Sequence, residues 1–204
     1  MNRFGCWPGS DTAEADMDKK QGAVFLDRDG TLNEEVNYLS RMDQLRLFPQ
    51  TVEAVRLINA AGMKAVVVTN QSGIARGYFT EDFVCRVHDR INELLAVGGA
   101  RIDGFYVCPH HPVYGNGIYK QECSCRKPKP GMLLRAAAEF NIDLSRSYMI
   151  GDMLKDIETG KKLGVKGILV RTGYGMNIVR TDMPAYIAED ILEAVQWILK
   201  DRKG

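Results

Sequence analysis

From Gly22 onward, short apolar runs rich in β-branched residues alternate with longer stretches whose apolar positions recur every three or four residues. Residues 23–26, 64–69, 104–107, 147–150 and 167–170 read as strands, and residues 51–61, 81–97, 132–140, 156–163 and 190–199 as helices. Repeated strand and helix alternation predicts an α/β fold, a Rossmann-like three-layer sandwich with a mainly parallel central sheet and right-handed crossovers. The strand runs are apolar almost without interruption, as expected for strands covered on both faces. Polar residues gather just past their ends. Open α/β sheets bind ligands outside the carboxyl ends of their strands, so residues 27–33, 69–72 and 151–156 should converge on one crevice.

A single domain is expected over residues 22–204, with residues 1–21 a flexible extension. That extension holds Gly5, Pro8, Gly9 and Ser10 among alternating charges and no apolar run of signal-peptide type. The chain is 45% hydrophobic and 26% charged, with a net charge of +1 and both signs mixed throughout. No broad basic or acidic face is therefore expected to bind nucleic acid or a membrane, and a substrate's charge must be met locally. The longest apolar runs fall far short of the roughly 20 residues that span a bilayer. A soluble, cytoplasmic monomer acting on a small molecule is the expectation. Of the five cysteines, Cys108, Cys123 and Cys125 crowd one segment beside His110 and His111, which favours a metal over disulfides in a reducing compartment.

The first predicted strand ends in Asp27-Arg28-Asp29-Gly30. One carboxylate can act as nucleophile, because aspartate forms acyl phosphates; the next but one can protonate a leaving alkoxide and then deprotonate water. Two carboxylates would repel a phosphate dianion, so a hard, oxygen-ligated cation such as magnesium is needed between them. Asp152 ends another apolar strand, and Asp156 follows one helical turn later on the same face. Taken singly, Asp-x-Asp-Gly is also a turn and Gly-Asp a helix cap; their joint occurrence at successive strand ends favours the chemistry. Thr69, ending a third strand, and Lys127, opening a helix, are candidate donors for a transferring phosphoryl group.

Cys108, one of His110 and His111, Cys123 and Cys125 make a set of three thiolates and one imidazole. Such a set closes a tetrahedral zinc site and leaves no position for water, so its role is structural. Spacing alone does not choose between the two histidines. Cys85 reads as a small core residue, Cys6 lies in the extension, and His88 reads as a surface residue.

In this order the four acidic and basic segments resemble the haloacid dehalogenase (HAD) superfamily over residues 23–170. The resemblance implies Asp27 as nucleophile, Asp29 as acid and base, and Thr69 and Lys127 as phosphoryl stabilisers. It also implies Asp27, Asp152 and the Asp29 backbone carbonyl as magnesium ligands. Only about forty residues separate Asp29 from Thr69, which leaves no room for a large cap domain there. A zinc-stabilised loop should instead shape the substrate entrance.

Within the superfamily, Asp27-Arg-Asp-Gly-Thr-Leu-Asn33, Thr69-Asn-Gln-Ser-Gly-Ile-Ala-Arg-Gly-Tyr-Phe79, the zinc loop and Cys125-Arg-Lys-Pro are similar to the heptose bisphosphate phosphatases. That likeness implies release of the C7 phosphate of a sugar bisphosphate in surface-glycan (lipopolysaccharide) precursor synthesis. It implies a sugar pocket of Arg28, Glu35, Asn37, Tyr38, Asn70, Gln71 and Ser72, substrate recognition by Arg126, and His110 as the zinc-binding histidine. Met153 departs from the polar residue the likeness leads one to expect there, so that contact is lost or moved to a neighbour such as Lys155. Histidinol-phosphate phosphatases share the motifs but carry a shorter zinc loop, and the long stretch 111–122 favours the heptose reading. A catalytically silent, zinc-stabilised interaction protein should lack an acid or the lysine, yet Asp27, Asp29, Lys127 and Asp152 are all present.

Overall fold

The computed structural model describes residues 20–178 and 181–203. The expected extension, apart from its last two residues, and Cys6 lie outside the described residues. Among the described residues six strands form one parallel sheet: β1 (Ala23–Leu26), β2 (Lys64–Asn70), β3 (Gly104–Cys108), β4 (Tyr148–Gly151), β5 (Lys166–Val170) and β6 (Tyr186–Ala188), in the order β3-β2-β1-β4-β5-β6. The first four connections are helical, α1 (Thr51–Ala60), α2 (Glu81–Ala96), α3 (Gly131–Glu139) and α4 (Leu154–Lys161), whereas β5 and β6 are joined through the 3-10 turn Gly173–Asn177 and α5 (Ile191–Asp201) follows β6.

Side chains alternate across the sheet, and each strand feeds both layers. Val24, Leu26, Val67, Ile150 and Ile168 face α1, α2 and α5 in one core, where Ile58, Ile91, Val195 and Ile198 are buried. Ala23, Phe25, Val66, Val68 and Met149 face the other way and pack with Met132, Leu133 and Ala136 of α3. On that side α4 closes on β5 because Gly167 has no side chain: a Cβ there would fall 2.5 Å from Ile157 Cγ2. Helix starts are fixed locally. Thr80 accepts from the Phe83 N–H at the head of α2, and Asp190 accepts from Leu192 and Glu193 at the head of α5.

The sequence pattern located five of the six strands and all five helices to within a few residues. β6 was not anticipated; three half-buried or buried residues at a sheet edge are too short to show a period. Two other expectations change. His88 is 1% exposed and stacks on Phe105 with ring centroids 4.3 Å apart, so it is a core residue rather than a surface one. Cys85 is half-buried on α2 rather than inside the core. The loop from β1 to α1 holds only the short 3-10 turn Met42–Gln44, and the stretch from β3 to α3 only Gly117–Tyr119, so no cap domain stands in either. Among the described residues no helix is long and apolar enough to cross a membrane.

Ile91→Ala removes a fully buried side chain where α2 meets the sheet and should cost about 2–5 kcal/mol of unfolding free energy. Urea denaturation measures it; a loss below about 1 kcal/mol would take Ile91 out of the core.

Candidate active site

The carboxyl ends of β1, β2 and β4 lie side by side, with the strand order reversing between β1 and β4. Asp27 is fixed there by its main chain, whose N–H donates to the Ile150 carbonyl of β4 at 2.9 Å. Asp27, Asp152 and Asp156 are all buried, and one carboxylate oxygen of each lies within 4.8 Å of the others. Lys127 enters from the loop before α3. Its ammonium stands 2.9 Å from Asp27 Oδ1 and 2.7 Å from Asp156 Oδ1, and donates to the Val68 carbonyl at 2.8 Å. The ammonium is thereby held between two carboxylates and a main-chain carbonyl. Asn70 holds the main chain of the same residue from both sides, donating to the Lys127 carbonyl at 3.2 Å and accepting from its N–H at 3.0 Å.

Burial pushes the Asp27 carboxyl up to about 6; Lys127 opposes the rise and Asp156 adds to it. Burial, then repulsion from Asp27, pushes Asp152 up to about 7 against the Tyr174 N–H, which donates to Asp152 Oδ2 at 2.8 Å. For Lys127 burial disfavours the charge, but Asp156 and Asp27 outweigh it and hold its pKa above the ordinary lysine range. These carboxylates want a cation that the chain does not itself supply in full. The donor set is all oxygen, which suits magnesium.

Asp29 is held differently. Burial opposes its ionisation, yet the Arg28 guanidinium together with the Asn33 and Gln71 amides outweighs burial and keeps its carboxyl below the ordinary range. Arg28 grips it with Nε and Nη2 at 2.8–3.2 Å, while Asn33 and Gln71 donate at 3.0 and 2.7 Å. Gln71 also donates to Thr69 Oγ1 at 2.9 Å, which leaves the threonine hydroxyl proton available to a ligand oxygen. Arg28 itself is buried, with Nη1 3.4 Å from His88 Nε2, and it does not line the cleft. In place of the expected substrate contact, Arg28 fixes the carboxylate of Asp29.

The cleft of about 150 Å³ is lined by Asp27, Asp29, Thr69 and Asp152, and by Glu35, Asn37, Tyr38, Asn70, Gln71, Ser72 and Arg126 from the sequence-derived pocket. Leu39, Gly73, Met153, Lys155 and Tyr174 line it as well. Tyr174 bridges two walls, its phenol donating to Asn37 Oδ1 at 3.1 Å. It sits past the carboxyl end of β5, and the strand-end rule applied to that strand would have pointed to it. Asp156 was visible in sequence only as a neighbour of Asp152; its ion pair with Lys127 depends on the fold. Gly30 (φ +80°) and Gly173 (φ +52°) close over Asp152, where a Cβ at either would fall 2.2 or 2.3 Å from Asp152 Oδ2.

Beside the cleft, Cys108, His110, Cys123 and Cys125 converge. Sulfur separations are 3.6 Å (Cys108 to Cys123) and 3.3 Å (Cys123 to Cys125), and His110 Nδ1 lies 3.9 Å from Cys108 Sγ and 3.4 Å from Cys125 Sγ. Ligands about 2.0–2.3 Å from a tetrahedral zinc stand about 3.3–3.8 Å apart, so the set fits that ion. His111 faces away and accepts from the Val113 and Tyr114 N–H groups. The zinc loop also touches the cleft, because Arg126 Nη1 donates to the His110 carbonyl at 3.0 Å.

Sheet order and the position of the acids define a class, the haloacid dehalogenase-like hydrolases. A family model described as HAD-hydrolase-like matches residues 124–194. The chain is 45% identical over 172 residues to a D-glycero-beta-D-manno-heptose-1,7-bisphosphate 7-phosphatase of Pasteurella multocida, covering 84% of this chain and 93% of that one. It is 44% identical over 185 residues to the D-glycero-D-manno-heptose-1,7-bisphosphate 7-phosphatase of Thermosynechococcus vestitus, covering 86% and 94%. A crystal structure of D,D-heptose 1,7-bisphosphate phosphatase from B. bronchiseptica, complexed with magnesium and phosphate, superposes with a TM-score of 0.78 at 29% identity, covering 89% of this chain and 99% of that one. The chain belongs to the heptose 1,7-bisphosphate 7-phosphatase family of these hydrolases.

Cys123→Ser should lower zinc per chain and the melting temperature together, because three ligands no longer close the tetrahedron. Unchanged zinc stoichiometry by mass spectrometry would remove Cys123 from the ligand set. The acids give a pH-dependent prediction. Asp27 and Asp152 keep their protons to about 6 and 7 in the fold, against 3.8 ordinarily, so the unfolded chain binds fewer protons across that window. The magnesium-free protein therefore loses stability as pH rises through it. Asp152→Asn should raise the melting temperature of magnesium-free protein at pH 8 and change it little at pH 5; a fall at pH 8 would contradict the repulsion.

Proposed function

We propose that the protein hydrolyses the C7 phosphate of D-glycero-D-manno-heptose 1,7-bisphosphate through a phosphoryl group carried on Asp27. The observation that carries this reading is the buried Asp27, Lys127 and Asp156 triad facing Asp152 at the strand-order reversal, in a chain of this family. The Asp27 and Asp152 carboxylates and the Asp29 main-chain carbonyl would hold magnesium, which would supply neutralisation of the phosphate's charge there.

Lys127 fixes one oxygen of Asp27 and leaves the carboxylate to attack phosphorus in line with the C7 oxygen. The bond from phosphorus to that oxygen breaks as the bond to Asp27 forms. Thr69 Oγ1 and Lys127 donate to the equatorial oxygens. Asp29 starts ionised under Arg28, and the anionic phosphate arriving beside it raises its proton affinity. Asp29 takes up a proton from solvent as the substrate binds and gives that proton to the leaving alkoxide. It then takes one from the water that attacks phosphorus and breaks the bond to Asp27, which releases inorganic phosphate, and returning that proton to solvent restores both carboxylates. Glu35, Asn37, Tyr38, Asn70, Gln71, Ser72 and Arg126 bind the sugar and its remaining phosphate.

Asp27→Asn retains the shape of the side chain and removes the nucleophile, so turnover should fall by at least about a thousandfold with the far-ultraviolet circular dichroism unchanged. Phosphate release is measured with magnesium from the α and β anomers of the heptose bisphosphate, histidinol phosphate and fructose 1,6-bisphosphate. The highest kcat/KM is expected for a heptose anomer. Preference for histidinol phosphate would overturn the substrate, and near-normal turnover by Asp27→Asn would overturn the nucleophile.

A further inference from the structure

The charges that line the cleft do not match a bisphosphate as they stand. Asp27, Asp29, Glu35 and Asp152 are acidic, while Arg126 and Lys155 supply the positive charge. Each phosphate group of the substrate brings a further charge of about −1.5 to −2 near pH 7. Lys127 is committed to the transferred phosphate's side of the cleft, where the Asp27 and Asp156 carboxylates already meet its charge. Arg126 has one nitrogen engaged by the His110 carbonyl. Lys155 is different. It sits on the first turn of α4, and among the described residues no carboxylate or carbonyl accepts from its ammonium; only its own carbonyl is engaged, by Thr159 Oγ1 at 2.7 Å. Its charge is close enough to Asp27 to favour that carboxylate's ionised form. Its neighbour on the same wall, Met153, has no side-chain donor to offer.

We propose that Lys155 is a specificity-determining residue, which together with Arg126 binds the second, non-transferred phosphate of a sugar bisphosphate. The proposal rests on the functional reading above and adds a recognition group to it. Arg126 and Lys155 come from different elements, the loop before α3 and the head of α4, so they receive one phosphate between them while the other meets Asp27. A guanidinium offers a planar fork and an ammonium a compact charge on a flexible stem, and a tetrahedral dianion accepts both at once. A monophosphate of the same sugar gains nothing from the pair. The energy of this contact is present in the ground state and the transition state alike, so it bears on KM rather than on kcat.

The test compares Lys155→Met and Lys155→Arg with the unaltered protein on heptose 1,7-bisphosphate and on the 7-monophosphate, with magnesium. Lys155→Met should raise KM for the bisphosphate about tenfold or more, the size of one lost charge-assisted contact, and KM for the monophosphate by less than about threefold. Lys155→Arg should restore most of the preference for the bisphosphate. Equal losses on both substrates would place Lys155 at the transferred phosphate and overturn the proposal while the functional reading stands. An unchanged ratio of the two KM values in Lys155→Met would also overturn it. Failure of the unaltered protein to turn over the bisphosphate would overturn the functional reading, and this proposal with it.

Discussion

The cleft depends on one buried ammonium. Lys127 lies between Asp27 and Asp156, with all three side chains shielded from water. Any of these charges alone would be strongly disfavoured in such a place, and removing one partner from a buried pair leaves an uncompensated charge. The lysine thus makes it possible for a potential nucleophile to be buried and largely ionised at neutral pH. It holds that position through the main chain as well as the side chain, because Asn70 brackets its peptide N–H and carbonyl. The site is therefore organised as much by the backbone of the loop before α3 as by its charges.

The sheet brings these groups together. Two successive crossovers from β1 carry the chain outward through β2 to β3, and the chain then returns to β4 on the opposite side of β1 and moves out through β5 to β6. The loops that follow β1 and β4 diverge, and a crevice opens between them. Asp27 and Asp152 face each other across it, while β2 contributes Thr69 from one flank. Asp29 meets a separate set of partners on the far side of the loop, with Arg28 and the buried His88 beneath it. Two acids only two residues apart therefore shift in opposite directions: burial carries Asp27 up in spite of Lys127, whereas the guanidinium and amide donors around Asp29 carry it down in spite of burial.

Much of this was legible in the sequence, for identifiable reasons. Strands covered on both faces are continuous apolar runs, and a functional residue placed where such a run stops is conspicuous; Asp27, Thr69 and Asp152 were found in that way. The cysteines were visible because three of them fall within one short segment beside histidines. The pairing of Lys127 with Asp156 was not legible, since it joins side chains from separate elements and no local pattern encodes it. His88 was misread because a histidine on an amphipathic helix looks polar, whereas here the ring stacks on Phe105 and meets Arg28 edge-on to its charge. Tyr174 carried no chemical signature, being drawn into the site by its main-chain N–H and its reach to Asn37.

Gly30 and Gly173 lie on either side of the Asp152 carboxylate, each so near that even a methyl group would overlap it. Their importance is steric and owes nothing to reactivity. In a saturation library these two positions would tolerate almost no replacement, and neither could be relieved by changing the other, because both press on the same carboxylate. Intolerance to substitution around this cleft therefore marks two different things, groups that react and empty space that lets them approach, and a survey of variants by itself would not separate them.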